Sequence, residues 1–435
     1  MIDRLLAPPA SRNCLDLNAL QALARDCEQQ PERLSPGLAA ARRHADTVLA
    51  EGFPNRARIR DLVSARAWVI EQLVLTAWRA LLPPDSPLEL VAVGGFGRGE
   101  LHPHSDADLL VLHPDDGEVP REPLEAFVRV LWDADLHPGH GVRGLSECVE
   151  QAREDVSIAT NLMESRLLWG AGLLYRELRQ RTDAPELWPA DEFFAAKSDE
   201  QQQRHDQFED TVYNLEPDLK SGPGGLRDVQ TVAWVAQRQF GTSTLHGLVE
   251  HGFLSEREHE QLLAARDHLW AVRWALHQLA GRAEERLLFD YQRRLAAVFG
   301  FDDAVDNVAV EAFMQRYYRT VMAVERLNEQ LLQIFECPRH EPFRINAFDG
   351  EFLSGQSNDG ADMTLAPSSR TQANGPETTK VLSNGSEPVA IRLKASTGSS
   401  EVIPIGCGIK AFSALLLPPD PPGASWSPFP WPLFP

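Results

Sequence analysis

Four glycines, Gly94, Gly95, Gly97 and Gly99, crowd into the short stretch between an apolar run and an acidic one. Glycine is the residue of tight turns and of close backbone approach, so the chain is expected to turn sharply here. The flanks say between what. Residues 88–93 (Leu-Glu-Leu-Val-Ala-Val) read as a buried strand running into the glycines. Asp108-Leu109-Leu110-Val111-Leu112 reads as a second strand after a turn containing Pro103. Residues 123–132 suit a helix, and the glycine-rich 139–144 leads through a third strand. Strand, turn, strand, helix, strand is the order of a small mixed α/β sheet.

What surrounds this core is helical. Residues 59–82 place Ile59, Leu62, Val63, Ile70, Leu73, Val74, Ala77 and Leu81 at three-and-four spacing, and Pro83-Pro84 ends that amphipathic helix. The first 50 residues are helical and polar, with a break near Pro31 to Pro36. From Ser146 the texture is helical again. Its best helix is 306–335, with Phe313, Tyr317, Val321, Val324, Leu327, Leu331 and Ile334 on one core-facing stripe. Residues 214–225 interrupt it as a loop, and the His205-Asp206 pair on a Gln-rich stretch reads as solvated surface. After about residue 347, Ser, Thr, Gly, Asn and Pro dominate and periodicity vanishes, a composition expected to be disordered. The fold class is therefore α+β. Its segments are an N-terminal helical piece (1–55), the mixed-sheet core (56–150), a helical extension (151–345) and a disordered tail (346–435).

Charge and cysteine usage narrow the setting. A formal charge of −21 would repel a nucleic-acid backbone, and no Lys/Arg-rich run offsets it. A small polyanion remains compatible, because a divalent cation can bridge phosphate and carboxylate. No apolar run approaches the roughly 20 residues that cross a bilayer, and the N-terminus has no signal-like apolar core. The five cysteines are scattered and form no CxxC pair, which suits a reducing cytoplasm.

Chemistry concentrates at Asp106-Ala107-Asp108. Side chains at i and i+2 of a strand point the same way, so two carboxylates converge where each can ligate a hard cation; the alternative is a pair of turn and capping residues. Magnesium suits one or two carboxylates plus substrate phosphates, and two such ions are a recurrent device for in-line phosphoryl displacement. An EF-hand is excluded, since its sixth and twelfth positions would be Val111 and Gly117. The glycines ahead of the pair can bring backbone N–H groups close to phosphate oxygens. Arg98 either adds charge to a triphosphate or pairs with Glu100 to hold the loop. The spacing G-x-G-x-G fits neither a dinucleotide fingerprint nor a Walker loop.

The run Gly94-Gly95-Phe96-Gly97-Arg98-Gly99-Glu100-Leu101-His102-Pro103-His104-Ser105-Asp106-Ala107-Asp108-Leu109-Leu110 resembles the catalytic signature of bacterial PII uridylyltransferases, members of the polymerase-β-like nucleotidyltransferase superfamily. Gly139-His140-Gly141-Val142-Arg143 is similar to the family's Gly-His-Ser-Val-Arg stretch, with Gly141 where serine is usual. Residues 159–168 (Ala-Thr-Asn-Leu-Met-Glu-Ser-Arg-Leu-Leu), residues 213–228 ending Gly224-Gly225-Leu226-Arg227-Asp228, and Arg286-Leu287-Leu288-Phe289-Asp290 also resemble family blocks. The likeness runs over about residues 55–345. It implies transfer of UMP from UTP to a tyrosine of the PII signalling protein, with pyrophosphate released. It further implies that Asp106 and Asp108 hold magnesium (Mg2+) while Gly94, Gly95 and Ser105 line the phosphates. Lys220 and Arg227 are candidate nucleotide or substrate contacts, or else parts of a loop clamped by local ion pairs.

The superfamily usually adds a third carboxylate, for which Asp133, Asp135 and Asp155 are candidates, none in a convincing strand position. Full-length relatives of this kind continue into a metal phosphohydrolase domain of the HD type and two ACT domains. Nothing after residue 347 resembles either, so removal of UMP and direct glutamine sensing are expected to be absent, with a reading-frame change or truncation near 340–350 as the explanation. Two other readings stand beside the transferase: an inert remnant that binds PII or nucleotide, and a nucleotidyltransferase with another acceptor.

Overall fold

A computed structural model describes residues 6–336 except 55–57, 118, 209–210, 243 and 302–307, together with 390–394 and 400–404. Three helices open the chain: α1 (Leu17–Arg25), α2 (Leu34–Gly52) and α3 (Ile59–Leu81). Asp16 caps α1 by accepting from Asn18 N and Ala19 N at 3.0 Å each. The prolines expected to stop α3 do so, and most of its length is buried.

The sheet follows. Strand β1 (Glu89–Ala92) leads into a single helical turn, α4 (Gly94–Gly97), where a plain turn was expected. Then come β2 (Ala107–His113), α5 (Arg121–Asp133) and β3 (Pro138–Gly144). Helices α6 (Leu145–Glu154) and α7 (Val156–Met163) precede β4 (Arg166–Trp169), and α8 (Leu173–Thr182) closes the unit. Strand order is β3-β2-β1-β4, with β1 antiparallel to both neighbours and β2 parallel to β3. The mixed sheet was legible up to β3. Its fourth strand comes from beyond residue 150, where the sequence reading had placed the end of the core.

Both faces of the sheet are covered, which is why β1 is buried at every position. Leu90, Ala92, Leu109 and Val111 pack toward α3 and α5, where Trp78 meets Phe127 edge-on at 5.1 Å. Val91, Leu110 and Leu112 face the other way, onto Leu145, Cys148 and Leu178 of α6 and α8.

The helical part comprises α9 (Ala190–Asp206), α10 (Leu226–Phe240), the short α11 (Gly247–Glu250), α12 (Glu256–Ala280), α13 (Phe289–Val298) and α14 (Val308–Glu336). The predicted stripe of α14 holds for Phe313, Tyr317, Val321, Val324, Leu327 and Leu331, which are buried, but not for Ile334, which is exposed near the end of the helix. His205 is not the solvated residue its neighbours suggested. It is buried, with its ring nitrogen 3.0 Å from Asp228, because α10 packs directly on α9.

The chain divides at residue 343 into two units. The tail predicted to be disordered lies outside the described residues, apart from one antiparallel pair, β5 (Ala390–Lys394) with β6 (Ser400–Pro404).

One buried ion pair ties α3 to the sheet. Arg166 of β4 donates to Glu71 at 2.7 Å and to the carbonyls of Gly97 and Phe96 at 3.2 and 3.4 Å, and Glu71 has no exposed surface. Removing one member leaves the other charged in an apolar interior. Arg166→Met is therefore expected to lower unfolding stability by about 3–5 kcal/mol, read from the denaturant midpoint. A change below about 1 kcal/mol would show that the pair does not hold the fold.

Candidate active site

The glycine turn is shaped by contacts that admit no side chain. Gly94 sits at φ +57, a left-handed conformation that opens the helical turn after the extended Val93. At Gly97 a β-carbon would run into the carbonyl oxygen of Glu164 and stand 3.0 Å from that of Ala92. The turn therefore lies flat between the ends of β1 and α7.

Arg98, expected either to meet phosphate or to hold the loop with Glu100, does the second and reaches further. It binds Glu100 at 2.7 Å and Glu164 at 2.5 Å. Burial opposes its charge, but those two carboxylates outweigh it and hold the guanidinium above its ordinary range. Glu164 also accepts from Trp234 Nε1 of α10, so the glycine loop is tied to the helical part.

Asp106 is exposed just ahead of β2, and Asp108 is half-buried on it. Burial raises the Asp108 carboxyl above the ordinary aspartate value of 3.8, the charge of Asp106 adds to that, and Lys220 pulls the other way. The two carboxylates are thus near enough to repel, as their spacing required. In register with Asp108 on β3 is Gly139, and a β-carbon there would collide with Asp108 Oδ1. A pocket of about 260 Å³ opens against Asp108, bounded by Gly139, His140, Gly141 and Arg143 of β3 and by Asn161 of α7. Asn161 Oδ1 faces Gly94 across its mouth, 3.5 Å from where a β-carbon would stand. In the same acidic loop, the Ser105 hydroxyl is buried and without a hydrogen-bond partner among the described residues.

The loop of residues 218–228 delivers two cations. It is clamped, but not by them. Asp218 accepts from Lys220 N at 2.9 Å and Ser221 N at 2.6 Å, while Asp228 accepts from Gly224 N at 2.7 Å and Arg204 at 2.6 Å. Lys220 Nζ has no ion pair among the described residues. Burial lowers its pKa, and Arg273, Arg227 and Arg98 push the same way. Arg227 lies over the Trp234 ring at 5.2 Å, with its own pKa lowered by burial and then by Arg98. Lys220 and Arg227 are thus neighbouring cations whose side chains take no part in the clamp, and the charge of Lys220 reaches Asp108.

The candidate third carboxylates fall elsewhere. Asp155 caps α7 by accepting from Ser157 N at 2.7 Å, Asp133 ends α5 exposed, and Asp135 pairs with Arg42 at 2.5 Å and His137 at 2.6 Å. Among the described residues no third carboxylate or imidazole joins Asp106 and Asp108. Sequence reasoning missed Asn161, Glu164 and Gly139 as individuals. All three stand in blocks whose likeness to a family had been noted, which was the available signal.

Comparison with known proteins agrees with this arrangement. Residues 73–162 match the family model described as "Nucleotidyltransferase domain", and residues 192–332 match the one described as "GlnD PII-uridylyltransferase". A bifunctional uridylyltransferase/uridylyl-removing enzyme of Pseudomonas aeruginosa (strain UCBPP-PA14) is 48% identical over 310 residues, which cover 70% of this chain and 34% of that protein. Proteins of the same name from Ectopseudomonas mendocina (strain ymp) and Azotobacter vinelandii (strain DJ / ATCC BAA-1303) are 50% and 49% identical, over 68% and 69% of this chain and 33% and 34% of theirs. The chain therefore spans about a third of the length of the curated relatives it matches. By these matches it carries a nucleotidyltransferase domain at residues 73–162 and a domain of the PII-uridylyltransferase family at residues 192–332.

Proposed function

We propose that the chain transfers UMP from UTP to a tyrosine of the PII signalling protein. The tyrosine oxygen forms a bond to the α-phosphorus of UTP as the bond from that phosphorus to the β-phosphate oxygen breaks. Pyrophosphate leaves with the bonding pair, and the phenolic proton passes to solvent. The reading is supported by Asp108, half-buried against a pocket, with the charges of Asp106 and Lys220 close enough to act on it and no ion pair to Lys220 among the described residues. Carboxylates suit a hard cation, and the ammonium suits a phosphate chain.

Magnesium fits this donor set, because oxygen ligands that repel one another at close range gain from a cation between them. Held by Asp106 and Asp108, one or two such ions would offset the charge that builds on the triphosphate. The chain's own residues do the rest. Gly94 and Gly95 bring the main chain close to the phosphates, and the unpartnered Ser105 hydroxyl is a ready donor to them. Lys220 and Arg227 neutralise the departing pyrophosphate, while Arg98 keeps the glycine turn in place through Glu100 and Glu164. The proposed setting is the cytoplasm, with no nucleic acid or membrane as partner. Among the described residues no helix is long and apolar enough to cross a bilayer.

A second reading has one observation in its favour. The missing third carboxylate among the described residues suits a chain that binds nucleotide or PII without turnover.

Radiolabelled UTP, magnesium and PII separate these readings. Label is expected on PII, and Asp106→Ala or Asp108→Ala should lower the transfer rate by a factor of about 100 or more. Binding without transfer would support the second reading, and label on another acceptor or from ATP would replace the first. Gly139→Ala places a β-carbon in the space of the Asp108 carboxylate. It should cut transfer steeply while circular dichroism and the melting temperature stay near wild type; unchanged transfer would mean Asp108 does not work in this position.

The pH dependence has a definite sign. With its pKa raised, Asp108 is protonated at higher pH than an ordinary aspartate, so magnesium affinity should fall on acidification at a midpoint above 3.8. Lys220 opposes that shift, so Lys220→Met should move the acidic limb to still higher pH. Calorimetric magnesium titrations across pH check this, and a limb that stays put or moves down would contradict the Lys220–Asp108 coupling.

A further inference from the structure

Away from the pocket, three residues of the metal-ligating kind come together where α11 meets α12. His246 immediately precedes α11, and its carbonyl accepts from Val249 N at 2.9 Å and Glu250 N at 3.2 Å, which fixes its backbone in a turn. Glu256 and His259 lie three residues apart on the first turn of α12, hence on one face of the helix. That turn is set by a capping box, in which Ser255 N donates to Glu258 at 2.8 Å. The box occupies Glu258 and leaves Glu256 and His259 to face His246. The two imidazoles meet edge to face with centroids 5.2 Å apart. One ligand atom from each of the three side chains falls within 4.8 Å of the others.

We propose that His246, Glu256 and His259 form a binding site for a borderline divalent cation, zinc above all, separate from the carboxylates of the nucleotide pocket. Two imidazoles and one carboxylate are a zinc donor set, whereas magnesium prefers oxygen throughout. A tetrahedral ion with bonds of about 2.0–2.2 Å needs ligand atoms about 3.4 Å apart. His246 and Glu256 are exposed and His259 half-buried, so small side-chain rotations close that gap without disturbing the core. Water completes the fourth position.

Such a cation would join the start of α11 to the start of α12. The segment between them seats Leu248 and Leu254 against Val229, Val232 and Leu262 of the helical core. The site is therefore a clasp on the helical part of the chain.

The full-length chain, stripped of metal with a chelator, is titrated with zinc by calorimetry and with cobalt by visible absorption. Cobalt is expected to give a four- or five-coordinate spectrum. His246→Ala and His259→Ala should abolish that spectrum and weaken zinc binding at least about tenfold, while Asp108→Ala keeps both. Identical affinity and spectrum in the two histidine variants would overturn the proposal. The wild-type chain supplies an independent reading, through diethylpyrocarbonate modification mapped by mass spectrometry. Zinc should protect His246 and His259 but not the exposed His251, which stacks on Phe240 instead. Modification of His246 and His259 at the same rate with and without zinc would equally overturn it.

Discussion

Arg166 sends its guanidinium into an interior where Glu71 is wholly removed from water, and from there it ties its own strand to two other elements. It belongs to the outer strand of the sheet, its partner to the long helix beneath, and its remaining N–H groups reach the carbonyls of Phe96 and Gly97 in the glycine turn. A charge so placed tolerates almost no displacement, because every ångström of separation uncovers an unpaired ion in a low-dielectric surround. The turn that sets Gly94 beside Asp108 therefore inherits its position from the packing of α3 against β4. The apolar contacts around it are non-directional and would allow sliding. The ion pair does not.

A second set of polar contacts carries the acidic loop. The carbonyl of His102 accepts from Arg66 at 2.9 Å, its ring meets Arg273 at 3.0 Å, and the carbonyl of Pro103 is met by His277. Glu285 stands behind Arg273 and His277. Burial would raise its pKa, but His277 and Arg273 outweigh that and hold it at about 2, so it stays charged under any ordinary condition. Residues 102–105, which lead straight into Asp106, are thus suspended between α3 of the sheet part and α12 of the helical part. Together with the Arg98–Glu164–Trp234 chain, this makes the helical extension a structural component of the candidate site as well as a neighbour of it.

Local patterning made much of this legible in advance. The run of α3 up to Pro83, the three strands from residue 88 to 144 and the stripe of α14 all follow from short-range periodicity and breakers, and they appear where expected. The pairing of Asp106 with Asp108 was expected from strand alternation, although Asp106 stands just ahead of β2 and not in it. What could not be read were partnerships between distant segments. Arg166 and Glu71 are 95 positions apart, and nothing in either neighbourhood announces the other. His205 looked solvated because its neighbours are polar, yet the packing of α10 on α9 buries it against Asp228. Arg98 offered two roles on spacing, and only the position of Glu164 across the sheet decided between them.

The wall of the pocket formed by β3 is uneven: Gly139 and Gly141 present main chain, His140 and Arg143 add side chains, and Gly139 has no room for even one carbon beside Asp108. Ile158, Asn161 and Leu162 of α7 line the pocket as well, so exchangeable side chains reach it from two elements. The place closed to evolutionary tuning is the single position of Gly139, because any other residue there would displace the Asp108 carboxylate.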